Sequence, residues 1–197
     1  AVPGVDLLLS DNHDESCSLA TELDAANGER QSLERAIFED AVRMVENSGN
    51  YPGRRSIVLS SPSWHQGVIG IVASRLVERF HRPAILIAID ENGTGRGSGR
   101  GIPGFHLLDA LTNCSAFLER FGGHRYAAGV NLAADRIEDF AAAFEAEASG
   151  MLNDSDLVPW IDIDMEVRPE DVTMDLAREL KRLEPFGMGN PEPVFMM

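Results

Sequence analysis

Between residues 14 and 46, apolar or small residues recur at Leu19, Leu23, Ala26, Leu33, Ile37, Ala41 and Met44. Steps of three, four and seven trace one helical face, so the spacing predicts a single long helix. Arg30 falls on that stripe, with Asn27 three residues before it. A guanidinium on an apolar seam needs a partner, and that partner is either Glu34 one turn later or a ligand. The turn formers Ser48, Gly49, Asn50, Tyr51, Pro52 and Gly53 then end the helix and mark a boundary.

Beyond it the pattern changes period. Ile57, Val58, Leu59 and Ser60 read as a short buried strand, 67–80 as a helix turning Val68, Ile71, Val72, Leu76 and Phe80 inward, and 84–89 as a second apolar strand. Strand, helix and strand in that order imply a parallel pair joined by a right-handed crossover, hence an α/β layer architecture. From 94 to 102 glycine alternates with polar residues, as in a strand near a sheet edge with close backbone approach. Helical segments around 106–118, a glycine-rich turn at Gly122 and Gly123, a strand at 128–132 and a helix over 137–148 follow. The strict alternation of 160–167 predicts a strand with one buried face. A short helix near 176–183 and a turn-rich stretch over 184–193 come next. Residues 194–197 look like a strand just starting, as in a truncated chain or a proteolytic fragment.

At 197 residues the chain has room for one full domain and part of another. The expected division is a segment with the long helix over 1–50, an α/β domain over 51–150, and an incomplete further domain over 151–197. The net charge of −15 argues against a protein that coats nucleic acid through bulk positive charge. Its distribution changes that picture. Residues 1–50 carry 3 basic and 11 acidic side chains, 51–135 carry 9 and 6, and 136–197 carry 5 and 15, so a mildly basic centre lies between two acidic arms. Lys181 is the sole lysine among 17 basic residues. Arginine grips phosphate with a planar fork, although an arginine-rich genome gives the same bias. Two cysteines, Cys17 and Cys114, are too few for a disulfide scaffold and suggest a reducing compartment. No run approaches the roughly 18 apolar residues that span a bilayer, so the expectation is a soluble, cytoplasmic protein without membrane contact.

Three clusters could carry chemistry. Gly95, Arg96, Gly97, Ser98, Gly99, Arg100 and Gly101 set a hydroxyl and two guanidiniums among glycines, which reads as a phosphate cradle or as a glycine-rich strand. The stretch lacks the ending of a Walker loop and the spacing of a dinucleotide fingerprint. Phe121, Gly122, Gly123, His124, Arg125, Tyr126, Ala127, Ala128 and Gly129 present an imidazole after two glycines; that ring either meets a phosphate or caps a turn. In 64–75, Gly67 and Gly70 at a helix start suit either an anion or close helix-to-sheet packing, and Trp64 either stacks on a base or packs at the surface. The acidic residues form no compact aspartate and histidine constellation, so no two-metal hydrolytic centre is expected within this chain.

Taken in order, these segments resemble the C-terminal half of the RecJ family, single-strand-specific exonucleases of the DHH phosphoesterase superfamily. The resemblance rests on Leu23, Asp24, Asn27 and Arg30, on 64–75, 95–105 and 121–129, and most specifically on Leu183, Glu184, Pro185, Phe186, Gly187, Met188, Gly189, Asn190, Pro191, Glu192 and Pro193. It implies an α/β chain: a long N-terminal connecting helix, a DHH-associated domain with a mixed sheet flanked by helices, and the opening of an oligonucleotide-binding β-barrel. It also implies that catalysis belongs to a preceding domain holding Mn²⁺ or Mg²⁺. His13 and Asp14 lack the neighbouring ligands of that domain's signature, so this chain alone is expected to bear no cofactor and no activity.

By the same likeness, Ser98 and Arg100, with Arg96 beside them, would grip the terminal phosphate of single-stranded DNA. His124 and the Gly122 and Gly123 backbone would bind the phosphate near the scissile bond, and Asn27 and Arg30 would contact the strand from the connecting helix. The implied reaction is stepwise hydrolysis from the 5′ end in DNA repair and recombination, with a single-strand-binding protein or a helicase as further partners. Two alternatives stay open. One is another DHH-superfamily phosphodiesterase, such as an oligoribonuclease or a cyclic-dinucleotide phosphodiesterase, which should lack the 183–193 motif. The other is a non-catalytic nucleic-acid or protein interaction module recruited through the acidic arms.

Overall fold

The computed structural model describes all residues except Ala1, Asn50 and Pro52, and the backbone alone of Val2. Of the predicted boundary turn, Asn50 and Pro52 therefore lie outside the described residues. The chain divides into two compact units, one through Val158 and the other Pro159–Met197.

The first unit opens with α1 (Val2–Leu9), a short helix that the pattern did not predict, followed by α2 (His13–Asn47). Asn12 caps α2 by accepting from the N–H groups of Asp14 and Glu15 at 3.0 and 3.3 Å, which fixes where the helix starts. The predicted apolar stripe is buried only in its last third. Ile37, Ala41, Val42 and Val45 enter the core, whereas Ala26 and Leu33 stay exposed. Before that stretch α2 is in contact with α1 and, around 26–34, with His65, Val68 and Arg75.

Five strands follow: β1 (Ile57–Ser61), β2 (Ala84–Ile89), β3 (Thr94–Arg100), β4 (Arg120–Gly123) and β5 (Ala127–Ala133), ordered β1-β2-β3-β5-β4. β1 and β2 are parallel and joined through α3 (Ile69–Phe80), as the strand-helix-strand pattern requires; the other pairings are antiparallel. One face of the sheet packs on α2 and α3 through Leu86, Ala84, Val72 and Leu76. The other packs on α4 (Leu107–Asn113) and α5 (Ile137–Met151) through Ile85, Ile87, Val130, Phe140 and Phe144. On α3 the inward positions are Ile69, Val72, Ala73, Leu76 and Phe80, while Ile71, expected inside, is 38% exposed.

Two expectations for the sheet need correction. β3 is the central strand, not one near the edge, and its N–H groups are spent on ladders to β2 and β5 on both sides. Its alternate glycines answer to packing: a Cβ on Gly97 would meet Val130 at 2.5 Å and Ile87 at 3.1 Å, so bulky core side chains press directly on the backbone. Gly122 and Gly123 likewise form no turn; they belong to β4, the strand at the sheet's edge. The predicted helical segment at 106–118 is α4 followed by a single 3₁₀ turn over Ser115–Phe117.

In the second unit, β6 (Met165–Glu166) pairs in parallel with β7 (Phe195–Met196), with α6 (Met174–Lys181) between them. The strand predicted over 160–167 is confined to two residues, because only β7 offers it a ladder; Trp160, Ile161 and Ile163 remain exposed. The 183–193 motif is folded about Asn190, whose side-chain amide donates to the carbonyls of Leu183 and Pro185 at 2.8 and 3.0 Å.

Candidate nucleic-acid interface

The antiparallel register builds a polar face by simple counting. Residues directly opposite each other on paired strands point to the same side, so each register position defines a transverse row. Ser98 lies opposite Gly129, and Gly129 opposite Gly122. On one side of that row stand Arg96, Asn131 and Arg120; on the other stand Arg100 and Ala127. The intervening positions Gly97, Gly99, Ala128 and Val130 face the opposite core. Across β3, β5 and β4, the ten side-chain positions of this face hold three arginines and no Asp or Glu.

Guanidinium geometry sharpens the picture. Arg100 donates through Nε to Ser74 Oγ at 3.1 Å and through Nη1 to Ser98 Oγ at 3.2 Å and the Gly99 carbonyl at 2.8 Å. Arg96 donates to Gln66 Oε1 at 3.1 Å. Neutral partners aim both cations without neutralising them, and among the described residues no carboxylate lies within 4.0 Å of Arg96, Arg100 or Arg120. Nine other arginines are held in ion pairs, as in the bridges of Arg55 with Asp154 and Arg79 with Glu46, whereas Arg35, Arg54, Arg82 and Arg125, like the three of this face, have no carboxylate partner among the described residues. α3 crosses over Ser98 and Arg100 so closely that a Cβ on Gly70 would sit 2.9 Å from Ser98 Oγ. Gly70 therefore serves helix-to-sheet packing around the two side chains, the second of the uses the sequence allowed.

The floor between the arginines is bare. A Cβ on Gly122 would meet nothing within 4 Å, and one on Gly129 only the Gly97 carbonyl at 3.8 Å. Neither glycine has a positive φ, so neither packing nor backbone conformation explains it. Gly123 is different: at φ +152 a Cβ would lie within bond-clash range of the Ala127 carbonyl and the Ala128 backbone, and glycine is obligatory there. This bend sets His124 against β5, its N–H donating to the Ala127 carbonyl at 2.8 Å. Its Nδ1 accepts from the Tyr126 N–H at 3.4 Å, which leaves Nε2 as the protonated, donating nitrogen of the neutral ring. Arg100 and His124 thus both adjoin Ala127, about 10 Å apart across two strand spacings.

Asn27 and Arg30 do not join this face. Arg30 pairs with Glu34 at 3.0 Å and with Asn27 Oδ1 at 2.9 Å, and Glu34 also binds Arg75 at 3.1 Å. The ion-pair explanation of Arg30 accordingly holds. Arg30 also lines a shallow pocket of about 280 Å³ with Leu33, His65 and Val68. His65 lines a neighbouring pocket of about 290 Å³ with Gln66, Asp90 and Arg96, so it stands between the helix positions and the sheet face. Trp64 is 5% exposed and donates to Asp40 at 2.9 Å, which removes it as a stacking platform. Sequence reasoning missed Ser74, Arg120, Asn131 and the place of Gly129 in the floor; only strand pairing brings them together.

Cys114 is buried, and its thiol is pushed up from 9.0 to about 11 by loss of solvation and by Glu147 nearby, so it is no nucleophile at neutral pH. Among the described residues no three His, Cys, Asp or Glu side chains gather as metal ligands. The Mn²⁺ or Mg²⁺ implied by the resemblance finds no fitting donor set here, and no step is derived through a metal. No helix among the described residues is long and apolar enough to cross a membrane.

Comparison with known proteins agrees with this architecture. Residues 53–150 match the DHHA1 domain and residues 163–197 the RecJ OB domain. The fold is thus that of a DHHA1-domain protein with a RecJ OB-domain segment after it. The chain is 41% identical over 194 residues to the single-stranded-DNA-specific exonuclease RecJ of Bacillus subtilis, and 40% identical over 200 residues to that of Escherichia coli. Each alignment covers 98% of this chain but only 24% and 34% of those proteins. The crystal structure of Thermus thermophilus RecJ in complex with Mg²⁺ superimposes with a TM-score of 0.86 at 34% identity, over 98% of this chain and 29% of that one. A crystal structure of exonuclease RecJ bound to manganese matches with a TM-score of 0.66 at 35% identity, over 75% of this chain and 36% of that one. The chain belongs to the RecJ family and spans about a quarter to a third of the length of these curated relatives.

Proposed function

We propose that this chain is the strand-holding part of a single-strand-specific 5′-to-3′ DNA exonuclease, active in the cytoplasm in repair and recombination. The observation that carries the reading is the sheet face itself: in a chain of net charge −15, three arginines and no carboxylate surround two glycines that nothing in the protein requires. Bare backbone flanked by aimed guanidiniums suits a phosphodiester, which needs both close approach and charge. Ser98 and Arg100 grip the terminal phosphate, with Arg96 beside them. His124, through Nε2, and the edge backbone at Gly122 and Gly123 hold the phosphate near the scissile bond. Asn27 and Arg30 guide the strand along α2, with the Glu34 bridge keeping Arg30 in place.

Hydrolysis needs a metal-activated water, supplied by two Mn²⁺ or Mg²⁺ ions in another domain of the whole protein. This chain contributes binding and orientation of the end. A single-strand-binding protein or a helicase would deliver such a strand.

Fluorescence anisotropy with matched 5′-phosphorylated and 5′-hydroxyl single-stranded oligonucleotides tests the assignment. The chain is expected to favour the phosphorylated end, and Arg100→Ala to abolish about tenfold of that preference, the scale of one charge-assisted contact. An Arg100→Ala chain with undiminished end preference removes Arg100 from the pocket. Affinity that ignores salt between about 50 and 200 mM would instead favour a protein-interaction module, because phosphate-driven binding weakens steeply with ionic strength.

A further inference from the structure

We infer that Arg120 and Asn131 form a second phosphate subsite, which holds an internucleotide phosphate of the same strand on the far side of the glycine row from Arg100. The inference rests on the end-holding reading above and extends it along the DNA.

The register supplies the geometry. Asn131 of β5 lies between Arg96 of β3 and Arg120 of β4, so the three side chains make one row across the sheet. That row is two residues along the strands from the Ser98, Gly129 and Gly122 row, roughly 7 Å away. The step matches the separation of successive phosphates in an extended strand. Between the two rows the surface has no side chain beyond Ser98 to lift a bound strand off the backbone.

The chemistry is unspent. Among the described residues the Arg120 guanidinium has no hydrogen bond or ion pair, and the Asn131 side-chain amide has no partner. Arg96 differs, since Gln66 holds one of its nitrogens. Arg120 therefore offers its full fork of five N–H donors and Asn131 two more, side by side on the edge and next-to-edge strands. A cation kept on a carboxylate-free surface and left unpaired, in a chain with nearly twice as many acidic as basic residues, is suited to an anion from outside. The commitment to a strand phosphate instead of a free anion follows from the placement in line with the floor.

The test uses the 197-residue chain and a ladder of 5′-phosphorylated oligothymidylates from the mononucleotide to the tetranucleotide, with affinity read by competition against a labelled strand. The unsubstituted chain is expected to tighten as the ladder lengthens. Arg120→Ala should bind the mononucleotide unchanged and lose about tenfold on the longer members. Its slope of log affinity against log salt should be about 0.7 shallower for the longest, the value of one phosphate contact on a single strand. Arg120→Lys should restore the salt slope and only part of the affinity, because it returns the charge without the fork. If Arg120→Ala follows the unsubstituted chain within about twofold at every length, the subsite does not exist, and the end-holding reading stands. If the unsubstituted chain shows no preference for a 5′-phosphate and no gain with length, both readings fall.

Discussion

Replacing single glycines of the sheet by alanine separates the two reasons for which glycine occurs here. At Gly97 the added Cβ would meet Val130 Cγ2 at 2.5 Å and Ile87 Cγ1 at 3.1 Å, both on side chains fully or almost fully buried in the core. Overpacking of that kind costs typically about 1–3 kcal/mol, and a branched valine wedged between strands has little room to yield. At Gly129 the same Cβ would meet one carbonyl at 3.8 Å, an ordinary contact. Alanine there should gain about 0.5 kcal/mol by restricting the unfolded chain. The pair of substitutions, on adjacent strands, should thus act in opposite senses and differ by about 1.5–3.5 kcal/mol. Urea denaturation reads this as a lower midpoint for Gly97→Ala and an equal or higher one for Gly129→Ala, with unchanged slopes. Binding of single-stranded DNA should show the reverse order. Gly129→Ala raises the floor beneath the strand and weakens binding by about tenfold or more, whereas Gly97→Ala points into the core and leaves affinity within about twofold when measured well below its unfolding transition. A Gly129→Ala chain that binds DNA normally would refute the idea that the bare glycine row is a contact surface.

Two further perturbations probe the scaffold. Glu145 of α5 accepts from the N–H groups of Arg55 and Ser56 at 2.8 and 2.9 Å and from Ser56 Oγ at 2.5 Å, so Glu145→Ala strands donors around Ser56, which is only 5% exposed. A loss of about 3 kcal/mol is expected by chemical denaturation, with DNA affinity unchanged; less than about 1 kcal/mol would mean that water replaces the carboxylate. The Cys114 thiol, raised to about 11 in the folded chain, binds its proton more tightly there than when unfolded. Stability should therefore be unaffected by this group below about pH 9 and decline between about pH 9 and 11, and Cys114→Ala should flatten that part of the profile; an unaltered alkaline slope would show that other groups cause it.

How much of this was legible beforehand differs by element, and the difference has physical causes. The helix over 13–47, the parallel pair through α3 and the α5 helix follow from periodicity, because each is long enough for several turns or residues to repeat one pattern. Ser98, Arg100, Gly122, Gly123 and His124 were singled out by local composition; the register sets the first two on β3 and the others on or directly beyond β4, with β5 between them. The buried extent of α2 was not legible: an apolar stripe states that a face wants burial, and only the sheet's size decides how much of a 35-residue helix it can cover. Nor was the place of β3. Glycine alternating with polar residues suits an edge on local grounds, yet here it marks the centre, where large side chains of β2 and β5 fill the volume that glycine leaves.

The amino-acid sequence by itself determined the longer helices and the apolar strands, though not α1, β4 or the short extent of β6, together with which residues carry positive charge or bare backbone and the family to which the chain belongs, since these are properties of short stretches read in order. The tertiary structure alone decided that Arg96, Asn131 and Arg120 share a row and that Trp64 is sealed inside. Those outcomes depend on pairing and packing that local spacing does not encode, and a short pattern holds no record of its partner.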